Sequence, residues 1–392
     1  MTIKPTSIKK PVLIFYVGRD SYFLSHRLPT ARAAMAEGYD VHVIAGDSGL
    51  GDAIKGEGVT FHPRWLQEDK VPAFSLLLGL IQMLMVGLKC RARIIQVVGL
   101  RYALVGLITS ILMPWTRFIF SINGLGFLFL KEKPKLHHRF ARRVILSFFT
   151  IISTLRKIDI TFQNEDDLSQ FTERTTLRQA TIHLIRGSGV DTGHYQKTDL
   201  PKDKVITFGM ASRMIRMKGA LDIITAFRRL TEAGVPVRLK LAGDVDEGNP
   251  DSLKADEISG LCRDGQIEWL GYQRDVKAFW DDCHVAMLGS HGGEGLPMSL
   301  LIPAAMGRPI ICSATSGNRD LVIDGRNGYL FPAGDVEAII EAVRMIIKSD
   351  LSKMGVKSHQ LIFDRGMDAD TCLLYTSPSP RDLSTSRMPS SA

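Results

Sequence analysis

The sequence has few cysteines, and none of them belongs to a CxxC pair. The five cysteines are scattered over 392 residues, so we expect neither a disulfide framework nor a zinc site, and a reducing compartment is favoured. Aromatic residues make up only 8% and do not alternate with a basic segment, which disfavours a nucleic-acid partner. No signal-peptide pattern precedes the first apolar run at residues 12–17.

Long apolar runs are also scarce, and one uncharged stretch raises the question of a membrane span. Val71–Leu88 lacks charge but is at the short end of what a bilayer requires. Pro72, Gly79 and Gln82 interrupt it. We therefore favour a buried or interfacial helix between two strands, with a transmembrane span as the alternative.

Charge is distributed unevenly along the chain. Residues 1–186 hold 25 Lys and Arg against 14 Asp and Glu, whereas residues 187–392 hold 24 against 27. The net charge is therefore +11 in the first part and −3 in the second. A basic half predicts an anionic partner, and a membrane surface or a lipid diphosphate fits better than nucleic acid.

Short apolar runs alternate with helical patterns along the chain. This alternation predicts an α/β protein with two Rossmann-like, doubly wound domains facing a cleft. We predict strands near residues 12–17, 41–45, 59–62, 94–98, 118–122, 160–163, 205–210, 238–242, 267–270, 285–288 and 310–313. The predicted divisions are an N-terminal domain at 1–186, a linker at 187–204, a C-terminal domain at 205–370 and a tail at 371–392. The tail is rich in Ser, Pro and Thr, which predicts a non-native or disordered segment.

A glycine-rich loop, Ser290-His291-Gly292-Gly293-Glu294-Gly295, joins a predicted strand to a predicted helix. Pro297 suits the first helical position, because its φ is fixed and it lacks an N–H. Free backbone N–H groups and the positive end of a helix dipole make such a loop an anion site. Glycines alone are a weak signal, and an ordinary strand-to-helix turn is the alternative.

The longer string is more specific. Glu294-Gly295-Leu296-Pro297-x-Ser299-Leu300-Leu301, followed by Gly307-Arg308-Pro309-Ile310, resembles the nucleotide-sugar motif of family 4 glycosyltransferases, which are retaining enzymes of the GT-B fold. Three N-terminal segments resemble the capsular-polysaccharide and O-antigen members, which use lipid-linked acceptors: Phe23–Pro29, Asn123–Gly126 and Gln163–Asp167. The resemblance covers about residues 11 to 365.

The resemblance implies roles for particular residues. Arg213 and Lys218 would hold the donor diphosphate and Glu294 the sugar hydroxyls. Independently of the resemblance, His26 is our candidate base, because it precedes Arg27 near the end of the first strand. The other donor-binding residues would be Gly292, Gly293, Gly295, Leu296, Pro297 and Gly243, and the acceptor-binding ones Arg27, Asn123 and Gly124. Each role has an alternative. Arg213 and Lys218 could form a solvated basic turn, and Glu294 could be a carboxylate favoured at a helix N-terminus. His26 could be a packed or capping histidine.

One position departs from the family motif. A second glutamate, associated with the donor ribose, is expected at 302, where this chain has Ile302 followed by Pro303. Isoleucine cannot accept hydrogen bonds, so the departure bears on donor affinity and on activity. Ile302 could also simply pack, with other groups holding the ribose.

The resemblance implies a retaining glycosyltransferase that uses a UDP-sugar and a polyprenyl-diphosphate-linked saccharide. No cofactor and no metal are expected, since no Asp-x-Asp pair suits one. The enzyme would be cytoplasmic and peripherally associated with the inner membrane. Six basic residues beside Phe127–Leu130 would bind the membrane surface: Lys131, Lys133, Lys135, Arg139, Arg142 and Arg143. The alternatives are a GT-B sugar-nucleotide epimerase and a degenerate, non-catalytic subunit.

Overall fold

Two parallel sheets form the framework of the protein, in a computed structural model that describes residues 10–66, 72–129, 136–246, 249, 251–262 and 265–376. The N-terminal sheet has the order β3-β2-β1-β4-β5-β6-β7 and the C-terminal sheet the order β10-β9-β8-β11-β12-β13. In both, the order reverses beside the first strand, as in doubly wound folds. The predicted fold class is confirmed, with each domain carrying a switch point, at β1/β4 and at β8/β11.

The strands of the N-terminal domain are β1 (Val12–Arg19), β2 (Asp40–Gly46), β3 (Thr60–Pro63), β4 (Ala92–Val98), β5 (Arg117–Ile122), β6 (Ile158–Phe162) and β7 (Ala180–Leu184). Its helices are α1 (Asp20–His26), α2 (Leu28–Ala36), α3 (Gly51–Gly56), α4 (Pro72–Cys90), α5 (Ala103–Leu112), α6 (Leu136–Leu155) and α7 (Glu165–Thr172), with 3-10 turns at Leu100–Tyr102 and at Gly126–Phe129.

The strands of the C-terminal domain are β8 (Ile206–Ala211), β9 (Val237–Ala242), β10 (Ile267–Trp269), β11 (Val285–Leu288), β12 (Ile310–Ser313) and β13 (Gly328–Phe331). Its helices are α8 (Ala220–Glu232), α9 (Ala255–Leu261), α10 (Val276–Asp281), α11 (Met298–Ala305), α12 (Ser316–Leu321), α13 (Val336–Ile346), α14 (Leu351–Asp364) and α15 (Ala369–Thr376), and a 3-10 turn spans Arg216–Lys218.

Strand β1 shows how the N-terminal sheet is buried on both faces. Ile14 and Tyr16 belong to a core cluster that includes Phe149 of α6, whereas Leu13 and Phe15 belong to a second cluster with α1 and α2. Side chains alternate between the two faces of a strand. A strand that is buried on both faces therefore appears in the sequence as one continuous apolar run.

Two strands were missed from the sequence. Strands β7 and β13 lie at sheet edges, where they pair on one side only. Most side chains of β7 are exposed or half-buried, so no continuous apolar run marks it. Helix α1 also went unpredicted, because its seven residues are too few to show a helical period.

Two further predictions are corrected. Pro297 is the N-cap of α11 with an extended backbone, and Met298 takes the first helical position. The predicted tail boundary at 371 falls inside α15, which packs against α2 of the N-terminal domain and buries Cys372. Residues 377–392 lie outside the described residues.

The candidate span forms helix α4. One stripe of it is exposed, and it comprises Phe74, Leu77, Ile81, Met85 and Leu88. Met83 on the opposite side is fully buried in the core. Within the described ranges, no helix is long and apolar enough to cross a bilayer.

Candidate donor site in the interdomain cleft

A cavity of about 420 Å³ opens beyond the C-terminal ends of β8 and β9, beside the switch point of the second sheet. The loop after β8 contributes Arg213, and the loop after β9 contributes Gly243 and Asp246. Ile302 lines the wall from α11, and Arg19 reaches in from the end of β1 in the other domain. Ligands of doubly wound folds bind at this kind of crevice.

The loop from Ser212 to Gly219 carries both predicted cations. Its backbone is tied to neighbouring loops, since Met214 N donates to Asp244 O and His291 N donates to Met217 O, each at 2.9 Å. Gly219 has φ +72°, and a Cβ there would collide with the carbonyl oxygen of Gly289. Only glycine allows this approach of the two loops that follow β8 and β11.

Lys218 and Glu294 face each other in the cleft. The ammonium of Lys218 donates to Glu294 Oε1, and the two side chains are 17% and 18% exposed. Ser290 Oγ donates to the same carboxylate oxygen at 3.1 Å. Two predicted site residues, 76 positions apart in the chain, are thus in direct contact.

Arg213 is paired with a carboxylate that the sequence did not single out. Its Nη1 donates to Asp246 Oδ2 at 2.7 Å, and Arg19 lies 3.6 Å from the other oxygen of Asp246. Burial alone would raise the pKa of Asp246, but the hydrogen bond from Arg213 and the charges of both arginines hold this pKa below its usual value. Asp246 therefore stays ionised and links the domains across the cleft.

Asp244-Val245-Asp246 has the Asp-x-Asp spacing, although its carboxylates serve different partners. Asp244 Oδ1 accepts from Tyr272 N at 2.9 Å, whereas Asp246 holds the two arginines. Over the ranges that the structure describes, no group of three or more His, Cys, Asp and Glu side chains is arranged to hold a metal.

The glycine loop contacts the N-terminal domain. A Cβ on Gly124, which has φ +118°, would collide with the carbonyl oxygen of Gly293, and one on Gly293 would come within 3.0 Å of Gly126 Cα. A Cβ on Gly295 would come within 2.7 Å of the carbonyl oxygen of Asn123. The predicted donor glycines and the Asn123-Gly124 turn therefore meet across the cleft. The glycines of this loop therefore allow the contact between the two domains, in addition to any role in binding an anion.

The segment Gln163–Asp167 reaches the same loop. Leu296 N donates to Gln163 Oε1 at 3.2 Å, and Asn164 Nδ2 donates to Gly295 O at 3.4 Å. Arg319 donates to Asp166 at 2.6 Å from α12. Through these contacts, the segment Gln163–Asp167 binds the glycine loop and α12 of the C-terminal domain. The sequence alone did not reveal this contact.

His26 lies at the end of α1, stacked on Tyr22 at 4.3 Å between ring centroids. Its Nδ1 is 2.6 Å from Ser25 Oγ. Burial and the charges of Arg27 and Lys218 lower the pKa of His26 to about 4. His26 is thus a neutral hydrogen-bonding group at pH 7 and a weak proton acceptor, below the range that suits a general base.

Arg27 supports Asn123. It is 4% exposed, and its Nη2 donates to Asn123 Oδ1 at 2.8 Å. Asn123 Nδ2 in turn donates to the Tyr22 hydroxyl at 2.5 Å. Arg27 therefore positions the Asn123-Gly124 turn rather than opening directly onto the cleft.

Ile302 lies between the core of the C-terminal domain and the cavity. It is 9% exposed and belongs to the C-terminal core, yet it lines the cavity together with Arg213. Pro303 lies inside α11, and the helix continues past it, since Met306 N donates to Ile302 O at 3.0 Å. The side chain faces the space where a donor would lie and offers it no hydrogen bond.

Solved structures share this two-domain arrangement. The Anabaena protein HepE in complex with UDP-glucose matches with a TM-score of 0.73 and 15% identity, over 93% of this chain and 98% of that one. The sucrose-phosphate synthase of Thermosynechococcus elongatus matches with a TM-score of 0.75 and 15% identity, over 94% and 97%. The fold is GT-B.

Sequence comparisons agree with this fold. Residues 204–349 match the family described as "Glycosyl transferases group 1". The capsular polysaccharide biosynthesis glycosyltransferase CapM of Staphylococcus aureus is 21% identical over 79% of this chain and 81% of its own length. The lipopolysaccharide core biosynthesis glycosyltransferase LpsE of Rhizobium meliloti is 27% identical over 47% of this chain and 53% of its own.

Proposed function

We propose that the chain is a family 4, retaining glycosyltransferase that moves a sugar from a UDP-sugar to a polyprenyl-diphosphate-linked saccharide in bacterial surface polysaccharide synthesis. The observation that carries the proposal is the cleft cavity with Arg213 on its wall and the Lys218–Glu294 pair nearby. The names of CapM and LpsE and the UDP-glucose bound by HepE support the polysaccharide and the donor.

The proposed chemistry breaks the bond between the sugar C1 and a phosphate oxygen of UDP. Arg213 offers a planar fork and Lys218 a point charge to the diphosphate, whose negative charge grows as the bond breaks. The acceptor hydroxyl attacks C1 from the face that UDP leaves, and its proton passes to the departing phosphate oxygen. The low pKa of His26 accords with a step that requires no strong protein base.

Glu294 is proposed to orient the sugar. Its carboxylate is held by Lys218 and Ser290, and it can turn one oxygen toward a hydroxyl of the bound donor. A diphosphate that binds beside Lys218 competes with Glu294 for the ammonium. Donor binding therefore exchanges one partner of Lys218 for another.

The proposed location is the cytoplasmic side of the inner membrane, through the N-terminal domain. Helices α4, α5 and α6 are adjacent on one side of the sheet. Together with the α4 stripe, helices α5 and α6 and the loop after α5 expose Ile111, Leu112, Trp115, Phe140, Ile151 and Leu155. Apolar side chains beside basic ones suit the interface of an anionic leaflet. Lys131, Lys133 and Lys135 lie outside the described residues.

Incubation with a series of nucleotide sugars, with and without a polyprenyl-diphosphate saccharide, tests the proposal. We expect UDP release that depends on the acceptor, and an acceptor lengthened by one sugar. Conversion of a UDP-sugar to its epimer without acceptor would indicate the epimerase. Binding of UDP with no turnover of any donor would indicate a non-catalytic subunit.

A further inference from the structure

A second cavity, of about 1000 Å³, opens along helix α6 of the N-terminal domain. Its walls carry four arginines: Arg139, Arg142, Arg143 and Arg174. Three of them come from α6, and Arg174 follows α7. None of these side chains lies in the donor site described above.

The four arginines have no carboxylate partner among the residues that the structure describes. Within the described ranges, no carboxylate forms an ion pair with any of them, whereas most arginines of the donor cleft are paired. Arg174 donates to the carbonyl of Gln170 at 2.7 Å, and Arg142 lies 5.6 Å from the ring centre of Phe129. Four guanidinium groups around one cavity attract a ligand with more than one negative charge, and phosphates match their fork geometry.

Apolar residues run beside this basic wall. Arg139, Arg143 and Thr150 follow one face of α6, and Phe140, Ile151 and Leu155 follow the adjacent face at the helical period. These three apolar side chains are 71%, 53% and 66% exposed. A ligand that joins a phosphate group to a hydrocarbon chain would satisfy both faces at once.

The cavity is also close to the donor loop through one short element. The 3-10 turn Gly126–Phe129 contacts α6, and its Phe129 lies under Arg142. Its first residue, Gly126, touches the glycine loop at Gly293. This turn therefore connects the helix that lines the cavity to the glycine loop of the donor site.

We propose that this four-arginine cavity binds the diphosphate headgroup of the lipid-linked acceptor. The proposal rests on the function proposed above and assigns its acceptor to particular residues. The arginines hold the diphosphate, and the exposed stripe of α6 lies against the polyprenyl chain. The saccharide then extends past Phe129 toward the cleft.

Flotation with vesicles tests this without any transfer step. The vesicles contain phosphatidylcholine alone, phosphatidylcholine with a small fraction of polyprenyl diphosphate, or phosphatidylcholine with phosphatidylglycerol at matched total charge. The variants are Arg139→Ala/Arg143→Ala and Arg174→Ala, with Arg178→Ala as the control, because Arg178 is exposed in the same domain and does not line the cavity.

We expect binding to the diphosphate vesicles that exceeds binding to matched phosphatidylglycerol vesicles. Each cavity variant should weaken it roughly tenfold or more, and Arg178→Ala should leave it unchanged. Equal binding to both anionic vesicles, or equal loss in Arg178→Ala, would overturn the proposal in favour of a diffuse charge effect. Soluble pyrophosphate that binds as tightly as the lipid would overturn the lipid assignment.

The same variants separate this proposal from the proposed function. If wild-type protein binds diphosphate vesicles selectively but transfers no sugar, the cavity assignment stands and the activity fails. If sugar transfer occurs and the cavity variants retain both turnover and the wild-type acceptor KM, the activity stands and the cavity assignment fails.

Discussion

Lys218 and Glu294 form an ion pair inside the cleft, with both side chains less than one-fifth exposed. The pair joins the loop after β8 to the loop after β11, the two loops that flank the switch point of the second sheet. Arg213 and Asp246 form a parallel pair on the cavity wall, at 2.7 Å. Each cation proposed to bind the diphosphate is thus already held in place by a carboxylate of the protein itself. The site is therefore preorganised.

Replacing either cation should impair transfer strongly, and the loss of exposed Arg213 should leave folding almost unchanged. Arg213→Ala and Lys218→Ala each remove a fixed charge from the leaving diphosphate, which costs on the order of 3 kcal/mol in barrier, or about a hundredfold in rate. Arg213 is 57% exposed, so its removal should change unfolding by less than about 1 kcal/mol. Turnover and thermal unfolding are measured on the same samples.

Arg216→Ala provides the matched control for these variants. Arg216 lies on the same loop, is 54% exposed and pairs with Glu257 at 3.3 Å, away from the cavity. It should keep near-normal turnover. If Arg213→Ala and Lys218→Ala retained the same turnover as this control, the donor-site assignment would be wrong.

Acid should destabilise the protein through His26. Its folded pKa of about 4 is below the unfolded value near 6.5, so the unfolded state binds the proton more readily. The stability contributed by neutral His26 is complete above pH 6.5 and is lost as the pH falls toward 4. His26→Gln should flatten this part of the stability curve, by at most about 3 kcal/mol. Urea unfolding across this range measures it, and an NMR midpoint of His26 near 6.5 would contradict it.

Gly124→Ala should weaken the contact between the domains. The added Cβ meets the carbonyl oxygen of Gly293, and φ at this position is +118°. We expect transfer to fall at least tenfold, because the glycine loop can no longer approach the Asn123-Gly124 turn. Gly126→Ala is the control for a positive φ, since φ there is +61° and its Cβ would have no atom within 4 Å. Equal activity of the two variants would argue against this contact.

Ile302→Glu should tighten UDP binding. The side chain lines the donor cavity, where a carboxylate could accept hydrogen bonds from ribose hydroxyls, worth roughly tenfold in affinity. Calorimetric titration compares wild type, Ile302→Glu, Ile302→Glu/Pro303→Ala and Ile302→Leu as the apolar control. If neither glutamate variant binds UDP more tightly than Ile302→Leu, this position does not face the ribose.

The sequence located most of the framework because its central strands are buried on both faces. Strands β11 and β12 agree with the predicted bounds residue for residue. The edge strands β7 and β13 were missed, since β7 is exposed or half-buried throughout and β13 is a four-residue strand that begins with glycine. The pairs Arg19–Asp246 and Arg213–Asp246 were also missed, and no local pattern records either of them. The first depends on how the two domains meet, and the second on how two loops of the C-terminal domain meet.

The configuration of the new glycosidic bond tests the central claim most directly. The wild-type protein is incubated with the UDP-sugar that it turns over and a polyprenyl-diphosphate saccharide, and the product is analysed by NMR at its anomeric proton. The account predicts the same anomeric configuration in product and donor, with transfer about a hundredfold slower in Lys218→Ala. An inverted anomeric centre, or undiminished transfer by Lys218→Ala, would contradict it.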